Sequence, residues 1–424
     1  MNRLIIKVKQ NQYLLQIITL MSGTLMAQAI MLAFIPLLTR LYTPSEFGLY
    51  SLFFALSSML GMVSSLKYEQ AIMLPKSNRD AQALVFLSIF ITIITVIVLS
   101  FGLFIFYDFF LDYFDGLNYL VWLLPPSILI IGLIQIFNTY ATRKQFYKKM
   151  ATVKMMESVT TVSTQGISRY FFALDGLIIG KLLSNLFSLY QLLGFHLKKQ
   201  TLQLKYFSKR RVRANMKRHE NFPKYQSSSA FLNSFSQNIP ILLFSSLFSP
   251  AVAGLYTLTY RVMQAPILLV ANSTRSVFYQ KASKMYANGE DITSLHFKTT
   301  IGLIKIFMVP LFVVLFFGEE IFIFMFGQEW AESGVIAQIT IVWFMFAFIT
   351  PPTSMMYNIL NLQKELLQLQ IITLIFRVLA IYMGFYFFQS YMVSVLLFTL
   401  VSVVHNLIFM GYIYIKIKNR KDNG

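Results

Sequence analysis

Hydrophobic residues occur along this chain in long runs, and short polar stretches separate the runs. Four runs contain no Lys, Arg, Asp or Glu, and they cover residues 12–38, 81–107, 116–142 and 386–415. A helix that crosses the hydrocarbon core of a bilayer needs about 20 apolar residues, so each run is long enough for one crossing. The pattern therefore predicts an all-α integral membrane protein.

The remaining apolar stretches raise the expected number of transmembrane helices to about twelve. The first run continues to Leu38, beyond the roughly 7–15 apolar residues of a signal peptide, so we expect the first helix to be retained. The fifth helix is the least apolar, because residues 155–168 are rich in Ser, Thr and Gln. The predicted helices are 12–39, 45–66, 81–107, 116–142, 151–170, 174–196, 224–247, 251–274, 298–317, 333–357, 366–387 and 390–415.

Charged residues alternate along the chain in step with these helices. Cytoplasmic loops of membrane proteins carry the excess of Lys and Arg, and 30 of the 36 basic residues fall in segments that this scheme places inside. Because the number of crossings is even, both termini are predicted to lie in the cytoplasm. Acidic residues gather in two of the predicted outer loops: Asp108, Asp112 and Asp115 in one, and Glu319, Glu320, Glu329 and Glu332 in the other.

Composition supports the membrane assignment and narrows the classes of function. The chain is 56% hydrophobic and 12% charged, whereas globular proteins carry about 25% charged residues. The four His residues are scattered singly, and the sequence has no Cys, phosphate-binding Gly loop or nucleophile elbow. We therefore expect no metal site and no cofactor. A membrane glycan polymerase or ligase is a disfavoured alternative, because the predicted loops are too short for a catalytic domain.

A strongly basic segment joins the predicted sixth and seventh helices. Residues 198–224 contain ten basic residues and one Glu, which contributes to the net charge of +19. Anionic lipid of the inner leaflet is the natural partner of such a segment. Nucleic acid is disfavoured, because the segment has few aromatic residues and connects two helices. We therefore predict a cytoplasmic linker at 198–223, between an N-terminal bundle at 1–197 and a C-terminal bundle at 224–424.

One short phrase is written twice, almost half a chain apart. LYTPSEFGLYSL at 41–52 and LFSPAVAGLYTL at 247–258 share six of twelve residues, and Gly48 corresponds to Gly254 at an offset of 206 positions. Each copy supplies an N-cap hydroxyl followed by Pro at the first helical position, as Thr43-Pro44 and Ser249-Pro250. In the first copy Glu46 completes a predicted capping box.

The repeat predicts an internal duplication. Six crossings separate the two copies, so both enter the membrane in the same orientation. This arrangement indicates two six-helix bundles related by a pseudo-two-fold axis along the membrane normal, a parallel repeat known from secondary transporters. Eight prolines lie within the predicted helices, where they could act as hinges or as static kinks.

Four cations lie well inside predicted helices, without acidic residues at the same depth. They are Lys181, Arg261, Lys305 and Arg377, and Glu157 is the nearest acid, close to the inner end of the fifth helix. A Lys or Arg at the centre of a bilayer costs about 2.5–3.5 kcal/mol on insertion scales, so Arg261 and Arg377 are expected to face the protein interior. Lys181 and Lys305 are nearer helix ends and could instead extend to the membrane surface.

An anionic substrate would supply the missing negative charge. Arg suits phosphate, because its planar guanidinium donates two parallel hydrogen bonds. An exporter of cationic drugs would be expected to carry carboxylates inside the membrane, and their absence from the predicted helices disfavours that function.

Three stretches resemble the polysaccharide-repeat-unit flippases (Wzx-type) of the MATE/MOP transporter superfamily. They are LLTRLYTPSEFGLYSLF at 37–53, KYEQAIMLPKS at 67–77, and FPKYQSSSAFLNSFSQNIPILLFSSLFSPAVAGLYTLTYRVMQAP at 222–266. Lys67 stands where the family pattern has Arg. The resemblance implies a MATE/MOP-like bundle with two lobes and a cationic central cavity.

The same resemblance implies a function. It would be the transfer, by alternating access, of undecaprenyl-diphosphate-linked oligosaccharides for O-antigen, capsule or exopolysaccharide, from the inner to the outer leaflet of a bacterial cytoplasmic membrane. Polysaccharide polymerase machinery is an implied partner. An ion-coupled exporter of the same superfamily remains the alternative. The implied cavity residues are Arg40, Arg261 and Arg377 with Lys181 and Lys305, and Lys67 and Glu69 at the inner mouth.

Overall fold

The described part of the chain is mainly helical. In a computed structural model the described residues are 2–108, 110, 118–172, 175–203, 208–360 and 362–422, and they contain helices and turns but no strand. They divide into two compact units, Met1–Tyr42 with Glu46–Leu242, and Thr43–Ser45 with Leu243–Gly424. The predicted boundaries of the two bundles, at 197 and 224, stay a prediction.

Among the described residues, nine helices lie wholly or mostly in the first unit. α1 packs along α6, α6 packs along α7, α5 packs against α4 and α7, and the short α8 lies on α4. A 3₁₀ turn at Asn118–Leu123 leads into α5. The helices are α1 (Asn2–Leu41), α2 (Pro44–Val63), α3 (Tyr68–Ala71), α4 (Asn78–Ile105), α5 (Leu124–Arg143), α6 (Tyr147–Phe172), α7 (Gly176–Lys198), α8 (Lys209–Arg218) and α9 (Ser227–Leu247).

The second unit is built from six helices. α11 packs along α12, α14 packs along α15, and α12 also contacts α10 and α15. The helices are α10 (Pro250–Ala287), α11 (Thr293–Phe326), α12 (Ala331–Ile349), α13 (Pro351–Ile359), α14 (Gln363–Phe388) and α15 (Tyr391–Asp422). The predicted tenth helix, 333–357, is broken after Ile349. The break lies at Pro351 and Pro352, which have no backbone N–H to continue the hydrogen bonding.

Nine helical segments in the described part of the chain are long and apolar enough to cross a membrane. The fifth, seventh and eighth predicted helices correspond to α6, α9 and α10, which are not among these nine. α6 carries the Ser, Thr and Gln residues noted in the sequence, and several of them are buried against its neighbours. The exact number of twelve crossings therefore stays a prediction.

In both copies of the repeated phrase, the helix begins at the proline that the sequence predicts as its first residue. α2 begins at Pro44 and α10 begins at Pro250. Ser249 caps α10, because its Oγ accepts a hydrogen bond from the Val252 backbone N–H at 3.3 Å. Such a cap satisfies one of the unpaired N–H groups of the first helical turn.

Close contacts between helices depend on residues without a side chain. A Cβ atom at Gly180 of α7 would lie 2.7 Å from the Gln165 Cα of α6. In the second unit, a Cβ atom at Gly384 of α14 would lie 2.5 Å from the Ser394 Cα of α15. Small residues at such positions let membrane helices approach closely, which is how helices gain packing energy inside a bilayer.

Hydrogen bonds join the beginning of the basic segment to helices α4 and α5. The Thr201 carbonyl accepts a hydrogen bond from Gln82 Nε2 at 2.9 Å and another from the Tyr140 hydroxyl at 2.7 Å. His196 Nδ1 lies 2.9 Å from Thr201 Oγ1. Farther along, the Tyr68 hydroxyl donates to the Met216 carbonyl of α8 at 3.1 Å. Thr201 and Met216 of the segment therefore contact helices that come earlier in the first unit.

Candidate functional site

Arg377 of α14 lies among aromatic side chains of the second unit. Its guanidinium carbon is 5.3 Å from the centre of the Phe398 ring and 5.7 Å from the Trp343 ring. Its Nε donates a hydrogen bond to Ser402 Oγ at 2.9 Å. Both rings are within the distance of about 6 Å at which the negative face of an aromatic ring attracts a cation. The side chain is half-buried.

Two tyrosines of α10 extend this aromatic group. Tyr256 and Tyr260 are one helical turn apart, so their side chains lie on the same face, and their ring centres are 6.1 Å apart. The Tyr260 ring stacks on Trp343 at 6.2 Å. Gln264 Nε2 donates to the Tyr260 hydroxyl at 2.6 Å. We call Tyr256, Tyr260, Trp343 and Phe398 the aromatic wall.

The charge of Arg377 is not matched by a carboxylate. Among the residues that the structure describes, no Asp or Glu lies within ion-pair distance of its guanidinium. Aromatic faces and one hydroxyl stabilise the cation only in part, because a cation–π contact contributes about 0.5–2 kcal/mol. The site is therefore suited to a ligand that brings negative charge next to apolar or aromatic surface.

The sequence predicts a role for Arg377 but not for the residues around it. The aromatic wall comes from α10, α12 and α15, so no spacing in the sequence joins its members. Ser402 was missed for the same reason. Only the pairing of Tyr256 with Tyr260, four positions apart, is visible as a pattern.

Lys181 is paired, which corrects the expectation of an uncompensated cation. Its Nζ lies 2.8 Å from Glu157 Oε1. The sequence scheme placed Glu157 close to a helix end, but α6 begins at Tyr147 and carries this residue well into the helix. The prediction that the cations inside helices have no acidic residue at the same depth is therefore wrong for Lys181.

A second carboxylate of the first unit is also buried and paired. Glu46 at the start of α2 forms an ion pair with Arg169 of α6. The Arg169 guanidinium also lies 5.1 Å from the Tyr42 ring. Glu46 is 5% exposed, and a carboxylate this buried is stabilised by a cationic partner.

Lys67 and Glu69 lie together at the short helix α3, between α2 and α4. Lys67 Nζ is 3.5 Å from Glu69 Oε1, and both side chains are buried. Ser65 Oγ donates a hydrogen bond to Glu69 Oε2. The same loop is held by Arg143, whose guanidinium donates to the carbonyls of Ile72, Met73 and Pro75. No pattern in the sequence indicates this role for Arg143.

Next to this pair, Tyr68 faces the basic helix α8. Burial, and then the nearby Glu220 carboxylate, raise the pKa of the Tyr68 hydroxyl. An open cleft at this surface is lined by Tyr68 and by residues of α8 and its C-terminal end, among them Lys209, Arg210, Arg213 and Lys217. The cleft therefore carries positive charge.

The remaining predicted cations differ in their exposure. Arg40 is exposed at the end of α1, and Lys305 is exposed on α11. Neither forms an ion pair within the described residues. Arg261 follows Tyr260 on α10 and is half-buried. Among the predicted site residues, Lys67 and Glu69 contact each other directly.

Sequence comparison establishes the family. Residues 37–335 match the family described as polysaccharide biosynthesis protein. The chain belongs to this family. The match includes the repeated phrase, the Glu157–Lys181 pair and two members of the aromatic wall, Tyr256 and Tyr260. Arg377, Trp343 and Phe398 follow the matched segment. Among curated proteins, none matches this member of the polysaccharide biosynthesis family at a significant level.

Solved structures share the fold. An inward-facing multidrug-resistance MATE transporter of the MOP superfamily superimposes with a TM-score of 0.72 and 16% identity, covering 94% of this chain and 96% of that one. The lipid II flippase MurJ, in an inward closed conformation, gives 0.72 and 13% over 95% and 90% of the two chains. A MOP superfamily transporter from Pyrococcus furiosus gives 0.59 and 15% over 96% of both chains.

These comparisons confirm the fold class. This member of the polysaccharide biosynthesis family is a multi-pass membrane protein with the helical fold of MATE/MOP transporters.

Proposed function

We propose that this protein is a flippase that transfers lipid-linked oligosaccharides from the inner to the outer leaflet of a bacterial cytoplasmic membrane. The observation that carries the proposal is Arg377, half-buried beside the aromatic wall, with no carboxylate partner among the described residues. Membership of the polysaccharide biosynthesis family supports a glycan substrate. The shared fold with the lipid II flippase supports a lipid-linked one.

The proposed ligand of Arg377 is the diphosphate of an undecaprenyl carrier. A guanidinium can donate two parallel hydrogen bonds to phosphate oxygens, and such charge-assisted bonds are the strong ones. The aromatic side chains beside Arg377 suit the C–H surface of a sugar. The face of an aromatic ring carries partial negative charge, which attracts the weakly positive C–H hydrogens of the sugar. The substrate would be a repeat unit of O-antigen, capsule or exopolysaccharide.

We propose that the other predicted residues lie along the route of the lipid-linked headgroup through the protein. Arg40, Arg261 and Lys305 would guide the anionic headgroup, and Lys67 with Glu69 would lie at the inner mouth. We assign Lys181 a different role, because Glu157 already neutralises it.

The charge pattern supports the orientation that we propose. Both termini and α8 would lie in the cytoplasm, where the basic cleft at α8 would contact anionic lipid. The two bundles, 1–197 and 224–424, would alternate access to the two leaflets. A polysaccharide polymerase is the proposed recipient of the transferred repeat unit.

The experiment that tests this proposal compares Arg377→Ala, Arg377→Lys and a control, Lys281→Ala, which removes an exposed cation of α10. A fluorescent polyprenyl-diphosphate oligosaccharide is reconstituted with each full-length protein in liposomes, and its transfer is followed by accessibility to an impermeant reagent. Loss of one contact to a charged group costs about 1.5–3 kcal/mol, which is about ten- to a hundred-fold in affinity.

We expect Arg377→Ala to show this loss and Arg377→Lys to recover part of it, since Lys offers a point charge in place of a planar fork. Lys281→Ala should transfer at the wild-type rate. Transfer by Arg377→Ala at the wild-type rate would refute the role of this residue in binding the diphosphate.

A further inference from the structure

The hydroxyl of Ser402 connects the Arg377 guanidinium to the backbone of α15. Ser402 Oγ donates a hydrogen bond to the Phe398 carbonyl at 2.8 Å and accepts one from Arg377 Nε at 2.9 Å. A serine hydroxyl has a single hydrogen. Because the Phe398 carbonyl takes this hydrogen, a lone pair of the oxygen is directed to Nε. Ser402 is 0% exposed, so its hydroxyl is shielded from solvent.

Two aromatic rings border the same guanidinium. Trp343 and Phe398 meet nearly at right angles, with an interplanar angle of 87° and 5.4 Å between the ring centres. The Arg377 guanidinium carbon lies 5.7 Å from the first centre and 5.3 Å from the second. The carbon and the two ring centres therefore form a nearly equilateral triangle. The rings limit where the guanidinium can move, and the bond at Nε fixes one of its edges.

This bond leaves four of the N–H groups of Arg377 for a ligand. A guanidinium has one N–H at Nε and two on each terminal nitrogen. In the described part of the chain, Ser402 is the partner of Nε, and the two terminal nitrogens have no hydrogen-bond partner. Pairing with an oxyanion through Nε and one terminal nitrogen is therefore blocked. The guanidinium offers its other pair of parallel N–H groups, which belongs to the two terminal nitrogens.

The packing of α14 on α15 is held by other hydrogen bonds besides the one at Ser402. Nearer the turn between these helices, Ser394 Oγ donates to the Ile381 carbonyl at 3.0 Å. On the other side of Ser402, Thr373 Oγ1 lies 2.6 Å from His405 Nδ1. The two helices should therefore stay together when the Ser402 hydroxyl is removed.

We propose that Ser402 is a positioning residue, which presents the two terminal nitrogens of Arg377 to a phosphate group of the substrate. This inference rests on the proposed function and adds a second residue to its binding site. Because Ser402 occupies Nε, it selects the edge of the guanidinium that meets the ligand. Because it orders the side chain beforehand, it lowers the conformational entropy that binding removes. Ser402 acts through Arg377 and does not contact the phosphate.

The expected effect is on the affinity for the substrate. A side chain that is ordered before binding improves affinity by about two- to ten-fold. Ser402→Ala removes the bond to Nε, so KM should rise by about this factor, while kcat changes little. A variant that is merely damaged in its packing would instead lose active molecules, which lowers the apparent kcat at an unchanged KM.

The first test measures initial transfer rates in liposomes at several concentrations of the fluorescent polyprenyl-diphosphate oligosaccharide. Full-length wild-type protein is compared with Ser402→Ala and with the matched control Ser394→Ala, which removes a buried hydroxyl from the same pair of helices. We expect a raised KM in Ser402→Ala and the wild-type KM in Ser394→Ala. An unchanged KM in Ser402→Ala, or an equal rise in both variants, would overturn the proposal.

A double variant separates positioning from packing. Lys has no N–H at the place of Nε, so Ser402 loses the group that it holds in Arg377→Lys. Ser402→Ala should therefore raise the KM of the wild type and leave the KM of Arg377→Lys unchanged, which is a non-additive result. The same relative rise in both backgrounds would show a packing effect and refute the positioning role.

The third test needs no glycolipid, so it separates this proposal from the proposed function. Full-length protein with an isotope label on arginine Nε is placed in lipid nanodiscs, and the NMR signal of Arg377 is the one that Arg377→Lys lacks. We expect the Nε hydrogen to exchange with water slowly in the wild type and in Ser394→Ala, and faster in Ser402→Ala. Slow exchange in Ser402→Ala would overturn the proposal.

The same NMR signal reports binding of inorganic pyrophosphate, the probe for the phosphate group. Pyrophosphate should shift the Arg377 signal of the wild type, and Ser402→Ala should require about two- to ten-fold more of it. A wild type whose signal does not respond to pyrophosphate would overturn the proposal, and so would equal affinities of the two proteins.

Failure of this proposal and failure of the proposed function give different results. Pyrophosphate binding that depends on Ser402, in a wild type that does not transfer the glycolipid, would refute the proposed function and leave the positioning role. Transfer that requires Arg377 but is the same in Ser402→Ala would do the opposite. Where Ser402→Ala does not fold, Ser402→Cys keeps a side chain of similar size with a weaker hydrogen-bond acceptor, and the same rise in KM is expected.

Discussion

The Tyr42 hydroxyl donates a hydrogen bond to the Gln165 backbone carbonyl at 2.7 Å, joining the end of α1 to the middle of α6. The Tyr42 ring also lies against Arg169, which pairs with Glu46. Two residues of the first copy of the repeated phrase, Tyr42 and Glu46, are therefore held by the same helix.

Tyr42→Phe should destabilise the protein, because it removes this buried hydrogen bond and keeps the ring. The expected cost is about 0.5–1.5 kcal/mol, measured as a lower temperature of thermal unfolding in detergent. Tyr170→Phe is the matched control, since Tyr170 of α6 is 82% exposed. Equal unfolding temperatures for the two variants would contradict the assignment.

Gly180→Ala should separate α6 from α7. The new Cβ would lie 2.7 Å from the Gln165 Cα and N atoms, and overpacking of this kind costs about 1–3 kcal/mol. Gly194→Ala on the same helix has open space around its Cβ. It should stabilise the helix by up to about 1 kcal/mol. Thermal unfolding of both variants in detergent should show shifts of opposite sign, and a stabilised Gly180→Ala would exclude this close contact.

Asp175, which precedes α7, should make stability depend on pH. Burial, and then the charge of Glu46, raise the pKa of its carboxyl above 3.8. The folded state thus binds this proton more tightly than the unfolded state, so stability falls as the pH rises from 3.8 through the raised pKa. Asp175→Asn removes the charge and keeps an oxygen that can accept the Tyr119 hydroxyl.

At neutral pH, Asp175→Asn should unfold at a higher temperature than the wild type. The difference should disappear below pH 3.8, where the carboxyl is protonated in both states. A variant that is less stable than the wild type at neutral pH would show that the ionised carboxylate is the favoured form.

Introduced cysteines can test the predicted topology without background, because the chain has no native Cys. Glu329 and Lys148 are both exposed, and the charge pattern places them on opposite sides of the membrane. In intact cells, an impermeant thiol reagent should label Glu329→Cys and leave Lys148→Cys unlabelled until the membrane is opened. Labelling of Lys148→Cys in intact cells would overturn the orientation. Asp112, a second predicted outer position, lies outside the described residues.

Features set by local chemistry were predictable from the sequence. The starts of α2 and α10 follow from a hydroxyl residue and a proline, and both are confirmed. The helical membrane class follows from apolar runs of sufficient length. The break between α12 and α13 was missed, although Pro351 and Pro352 signal it, because the apolar pattern continues across them.

Features set by contacts between distant helices were not predictable. Glu157 and Lys181 are 24 positions apart, on two helices whose rotation about their axes the sequence does not specify. That Arg377 is half-buried followed from its depth in a helix. Its aromatic surroundings depend on how α10, α12 and α15 pack, and composition alone contains no such information.

The two hydrogen bonds to the Thr201 carbonyl have a consequence for folding during synthesis. Gln82 and Tyr140 leave the ribosome 119 and 61 residues before the carbonyl that they share. During synthesis their donors must therefore be solvated by water or by lipid headgroups. A nascent chain that stops before residue 201 lacks this acceptor, so the first unit is completed by the segment that leads into the second.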